Sequence, residues 1–209
     1  MDKLLKISEK YSSNLFFRAL VNAIPYFGGS LDVLLSSRWA EYHSKRVDDF
    51  MNKVKIELSY LKENQLKNGP IETEGFYDLV YQIAPKVIES RFDQTRTAYA
   101  KIIRSALSGD DAIIDLEELV RQISDFKERD YQFLTAIKEL SCTCLDITGN
   151  SVSRELSAYG YTPIDCERHL YRFEALGLLD HKRNMLQSRG MMPFEILPYF
   201  KKVVTFIFT

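Results

Sequence analysis

Cys142, Cys144, Cys166 and His169 offer three thiolates and an imidazole, the donor set of a tetrahedral zinc ion. Their spacing argues against it. Two residues apart on a helix, Cys142 and Cys144 point about 160° away from each other, so both can bind one ion only where the helix has ended. Buried, inert cysteines are the simpler reading, because free cysteine is among the most buried residue types. Cys166 and His169, as a thiol-imidazole pair, meet the same objection: both fall on the face of a helix that its apolar residues assign to the core. The acidic pairs Asp48-Asp49, Asp110-Asp111 and Glu117-Glu118 are sequence neighbours, which do not share a helix face, and they read as helix-start or solvated charges. His43 and His181 stand among charged residues with no evident partner. No phosphate-cradling glycine loop, nucleophile elbow or metalloprotease helix appears. The expectation is a chain without catalytic residues, metal or cofactor.

A second kind of chemistry is contact with phosphate. Arg168, Arg172, Lys182, Arg183 and Arg189 are the residues that would carry it, and across 180–202 five basic residues face only Asp180 and Glu195. Ahead of that stretch, Glu167 and Glu174 offset Arg168 and Arg172 on what a helical projection gives as the outer face, together with Ile164 and Tyr171. Binding to nucleic acid draws on uncompensated cations and the counterions they release. The formal charge of the whole chain, −1, adds no global attraction.

The element that must position these groups is written most clearly between Thr162 and Lys182. Thr162 can cap a helix, Pro163 suits its first position, and Asp165 favours the positive end of its dipole. Cys166, His169, Leu170, Phe173 and Leu176 recur at helical spacing, and Gly177 suits the left-handed residue that ends a helix. Two candidate strands, Leu178–Arg183 and Met191–Ile196, flank the turn-like Ser188-Arg189-Gly190. A short helix capped by Asn150 or Ser151 precedes, and an apolar helix or strand over 198–208 closes the chain. This order predicts a winged-helix-like domain over 129–209 with a small β-hairpin.

Upstream, the pattern predicts a mainly α fold, a helical bundle over 1–128 with long amphipathic helices. Val47, Phe50, Met51, Val54, Leu58 and Leu61 form one stripe, with Asp48, Asp49, Lys53, Lys55 and Glu57 on the other side. Thr73 starts a further helix, in which Pro85 predicts a kink or a short break near Gln82 and Ile83 before the stripe resumes and ends at Ser108-Gly109-Asp110. The helix carrying Ile114 to Phe126 has no breaker before Leu140, so it reads as continuous. At 209 residues and 45% hydrophobic, the chain has the length for one large domain or two small ones. Three cysteines without framework spacing suit a reducing compartment, and the N-terminus lacks the features of a secretory signal, so a cytoplasmic location is expected. The apolar region 15–35 is interrupted by Arg18, Asn22, Asp32 and a Pro-Gly break. It reads as a buried hairpin, and a membrane is the least expected partner.

The segment Ala23-Ile24-Pro25-Tyr26-Phe27-Gly28-Gly29-Ser30-Leu31-Asp32, followed by a long helix and a winged-helix-like tail, resembles a broad class of prokaryotic helical proteins. The layout is similar to the abortive-infection Abi-alpha-like family. That resemblance implies a bacterial or archaeal cytosolic protein tied to phage defence, with no catalytic residues to carry over. Three functions follow in order of expectation: a non-enzymatic module for protein contact or self-association, a DNA-binding winged-helix regulator, and a conditional membrane-active protein.

Overall fold

The computed structural model describes residues 37–61, 73–143, 147–181 and 193–208. The fold is mainly helical, with eight α-helices and one two-stranded antiparallel sheet among the described residues. Two compact units, Met1–Ser124 and Asp125–Thr209, divide the chain a few residues before the boundary read from the sequence.

The first unit contains α1 (Ser37–Ser59), α2 (Glu74–Glu89), α3 (Asp93–Ser108) and α4 (Ile113–Ser124). Helix α3 lies at its centre and packs on the other three. Its Ala98, Tyr99, Ala100, Ile102, Ile103, Ala106 and Leu107 are all buried, as expected of a helix covered on most of its circumference. Phe50, Val54 and Leu58 of the predicted α1 stripe enter the same core. The charged side of α1 is less solvated than its sequence suggests. Asp49 Oδ2 receives Arg96 Nε at 2.6 Å, Lys53 Nζ meets Asp93 Oδ1 at 3.0 Å, and Glu57 Oε2 receives Arg104 Nη1 at 2.8 Å. All three pairs join α1 to α3.

Thr73 caps α2 through the Phe76 N–H. The expected kink at Gln82 and Ile83 is not where the helix breaks. Regular α-helix runs through Pro85 to Glu89, and the interruption falls at Ser90, Arg91 and Phe92. The proline removes the backbone donor that the Tyr81 carbonyl would otherwise receive, yet the helix continues past it. Gly109, at φ 72°, closes α3 as read from the sequence.

The second unit runs α5 (Glu128–Cys142), α6 (Gly149–Glu155), a 3-10 turn (Ser157–Tyr159), α7 (Pro163–Ala175), β1 (Leu179–His181), β2 (Phe194–Ile196) and α8 (Pro198–Phe208). The expected continuity from Ile114 to Leu140 fails at Asp125, Phe126 and Lys127. There the Phe126 ring turns inward against Tyr131 and Phe173, 6.0 and 6.4 Å between centroids, and the Asp125 carbonyl accepts from Arg172 Nη2 at 3.2 Å. Tertiary contacts outbid local helix propensity.

The cap of α6 is Thr148, not Asn150 or Ser151. Thr148 Oγ1 accepts from the Ser151 N–H at 3.1 Å, and Ser151 Oγ accepts from the Thr148 N–H at 2.9 Å. Just before it, Ile147 forms a single antiparallel bridge with Phe194. Strands β1 and β2 pair Leu179 with Ile196, Asp180 with Glu195 and His181 with Phe194.

Helix α7 starts as predicted. Thr162 Oγ1 accepts from the Asp165 N–H at 3.2 Å, Asp165 Oδ2 accepts from the Thr162 N–H at 3.3 Å, and Pro163 holds the first helical position. Thr162→Ala is expected to cost the second unit about 1 kcal/mol, and Thr162→Gly only a few tenths. A urea titration followed by circular dichroism measures the difference, and equal losses for the two variants would contradict a capping role. The helix ends at Gly177, φ 69°, where the Leu178 N–H reaches Phe173 O at 2.9 Å and the Gly177 N–H reaches Glu174 O at 2.8 Å.

Candidate functional site around helix α7

Cys166, Leu170 and Phe173 form the buried side of α7, and Ile164, Arg168 and Tyr171 line its exposed side. Glu167, expected outside, is buried at 7% exposure. The largest departure from expectation lies between these faces. His169 and Arg172, one turn apart, both reach Asp130 near the start of α5, whose side chain is 1% exposed.

His169 Nε2 lies 2.8 Å from Asp130 Oδ1, Arg172 Nε donates to Oδ1 at 3.1 Å, and Arg172 Nη2 donates to Oδ2 at 3.0 Å. The Lys127 N–H completes the set at 2.7 Å from Oδ2. Burial pushes the Asp130 carboxyl upward, but the hydrogen bonds from His169, the Lys127 N–H and Arg172 together hold it below the ordinary aspartate value of 3.8. The carboxylate is therefore ionised at neutral pH and fully used as an acceptor. The His169 ring stacks on Phe133 at 4.0 Å and meets Phe173 edge-on at 5.2 Å, which fixes the imidazole plane. The arrangement fastens α7 to the first turn of α5, and no exposed nucleophile stands beside it.

This placement decides what the predicted phosphate-binding residues can do. Arg172 spends its guanidinium fork on Asp130 and on the Asp125 carbonyl. Arg168 is exposed, with Asp165 3.9 Å away. Lys182, Arg183 and Arg189 lie outside the described residues. The outer face of α7 thus offers one exposed arginine beside Asp165, with Ile164 46% and Tyr171 38% exposed. Its surface is mixed and partly apolar.

The sulfur-rich zinc set does not assemble among the described residues. Cys142 is exposed, Cys166 is buried, Cys144 lies outside the described residues, and His169 Nε2 faces Asp130. Burial, with a smaller contribution from Asp165, pushes the Cys166 thiol up to about 11, so it stays protonated at neutral pH and is no nucleophile. A different cluster appears where sequence reading found no partner for His181. Donor atoms of Glu174, Asp180 and His181 all lie within 4.8 Å of one another, and His181 Nδ1 contacts Glu174 Oε1 directly.

In the first unit, an open cleft of about 590 Å³ is lined by Gln82, Lys86, Ile114, Asp115, Glu117, Glu118 and Arg121. Gln82 Nε2 donates to Glu117 Oε1 at 3.1 Å, and Arg121 pairs with Glu118 at 2.6 Å. Its lining sets Asp115, Glu117 and Glu118 against Lys86 and Arg121 and presents no nucleophile with an adjacent base. Residues 15–35 lie outside the described residues, and no described helix is long and apolar enough to cross a membrane. Compared with protein-family models, curated proteins and solved structures, the chain matches none.

Proposed function

We propose that the protein is a non-enzymatic protein-contact module, with a winged helix as its second unit. The order helix, single bridge at Ile147, helix, helix, strand, strand supports the winged-helix reading, with α7 as the third helix. The observation that carries the function is the state of that helix: Arg172 is bound to Asp130, and the outward stripe is Ile164, Arg168 and Tyr171. An aromatic, an aliphatic and one arginine suit the desolvated centre of a protein interface, where aromatic residues and arginine are enriched. They suit a phosphate backbone poorly, because one arginine with Asp165 3.9 Å away releases few counterions. Membership of a phage-defence system, which the similarity of layout to the Abi-alpha-like family implies, is compatible with such a role and adds no residue to it.

The competing DNA reading rests on the excess of basic residues across 180–202. Light scattering over a hundredfold range of protein concentration, run beside a gel shift at low and moderate salt, separates the two. Association that weakens in Ile164→Asp and Tyr171→Asp, with no shift of DNA, is the expected result. A strictly monomeric chain that shifts DNA at low salt, and loses it steeply as salt rises, would overturn the proposal.

A further inference from the structure

Glu174 leaves the last turn of α7, and the Gly177 turn folds the chain back so that Asp180 and His181 of β1 return to it. Two of the three donors are set by packing. Glu174 and His181 have side chains only 21% exposed, and the imidazole is wedged edge-on against Tyr171 at 5.9 Å and tilted against Phe194 at 6.3 Å. Asp180 closes the cluster from the solvent side, its donor oxygen within 4.8 Å of the other two donors.

A second observation points to a cation here. Asp180 sits directly opposite Glu195 in the β1–β2 ladder, and like charges in that position destabilise a strand pair. Among the described residues the ladder consists of three residue pairs. Glu174 adds a third carboxylate, its donor oxygen within 4.8 Å of that of Asp180.

We propose that Glu174, Asp180 and His181 bind a divalent transition-metal ion of the zinc class, independently of the contact function of α7. One imidazole nitrogen and two carboxylate oxygens are the ligand types zinc takes at ~2.0–2.2 Å, and three protein ligands leave a fourth position to water. The imidazole disfavours calcium and magnesium, which take oxygen ligands. The ion clamps β1 to the end of α7 and neutralises the carboxylates at the base of the hairpin.

The test uses the full-length chain, untagged and stripped of metal, titrated with zinc against a chromophoric chelator while its melting temperature is followed. One equivalent of zinc should bind and raise the melting temperature, with no rise from magnesium or calcium. Since loss of even an outer-shell partner commonly weakens metal binding by about 10-fold or more, His181→Gln and Asp180→Asn should each lose at least that much affinity. Asp180 is exposed, so its variant keeps the fold should His181→Gln perturb it. Cys142→Ser should bind as the unaltered chain does. No zinc binding, unchanged affinity in Asp180→Asn and His181→Gln, or loss of binding in Cys142→Ser would each overturn the site.

Discussion

Replacing Asp130 with alanine should destabilise the second unit by about 3 kcal/mol, the lower end of the range for breaking a buried charge pair from one side. The side chain is 1% exposed and accepts from two nitrogens of Arg172, from His169 and from the Lys127 N–H. Its removal strands all of these donors. The lower end applies because the Arg172 side chain is 39% exposed and can turn part of its guanidinium to water. Arg172→Ala should cost less, about 2 kcal/mol, since the carboxylate keeps His169 and the Lys127 N–H. Hydrogen exchange of the full chain is the suitable measurement, because it assigns the loss to residues 125–208 separately from the first unit. A loss under 1 kcal/mol for Asp130→Ala would mean that α7 is held on α5 by its apolar face alone.

The same residue imposes a pH dependence. A carboxylate whose folded value lies below its unfolded value contributes stability above the unfolded value and loses it as pH falls through the folded one. Asp130 is held below 3.8, so its contribution is complete at neutral pH and erodes on acidification below that value. Asp130→Asn should flatten this acid limb of the urea midpoint against pH. An unchanged slope would assign the acid sensitivity to other carboxylates.

What could be read from the sequence divides by the range of the interaction that decides it. Thr162, Pro163 and Asp165 start α7, and Gly177 ends it, through contacts within a few residues, so their types are enough. The stripe of Phe50, Val54 and Leu58 is equally local in its periodicity. The ends of α2 and α4 are not. Pro85 lies within regular helix, and the helix after Ile114 stops at Ser124, where Phe126 and the Asp125 carbonyl find partners on α7. Asp130 carried no signal of its own, since an acidic residue in a first helical turn ordinarily serves the dipole. His169 and Arg172, read as belonging to the core face and the outer face of α7, meet on an acceptor that lies about forty positions earlier. Glu174 and His181 were hidden for a related reason: their meeting depends on how tightly Gly177 reverses the chain, not on either residue's type.

Gly149→Ala should destabilise the second unit by about 3 kcal/mol, against what helix propensity alone predicts. Alanine is favoured over glycine within a helix by up to about 1 kcal/mol. At this position, however, the first residue of α6, an added Cβ would lie 2.4 Å from the Pro163 carbonyl oxygen and 3.1 Å from Glu167 Cβ. The nearest of these atoms is backbone in the first turn of α7, so no side chain can swing aside. The two helices must separate instead, loosening a seam to which each brings nearly fully buried residues, Val152 from α6 and Cys166 and Leu170 from α7. Overpacking of this kind costs about 1–3 kcal/mol, and a contact this short belongs at the upper end. Gly75→Ala in α2 is the matched control, since its Cβ would meet Ile113 Cδ1 and Cγ2 at the ordinary distances of 3.5 and 3.6 Å. That change should be neutral or stabilising by up to about 1 kcal/mol. Thermal unfolding of the two variants decides the matter, for if Gly149→Ala melts with or above the unaltered chain, α6 does not approach α7 through that glycine.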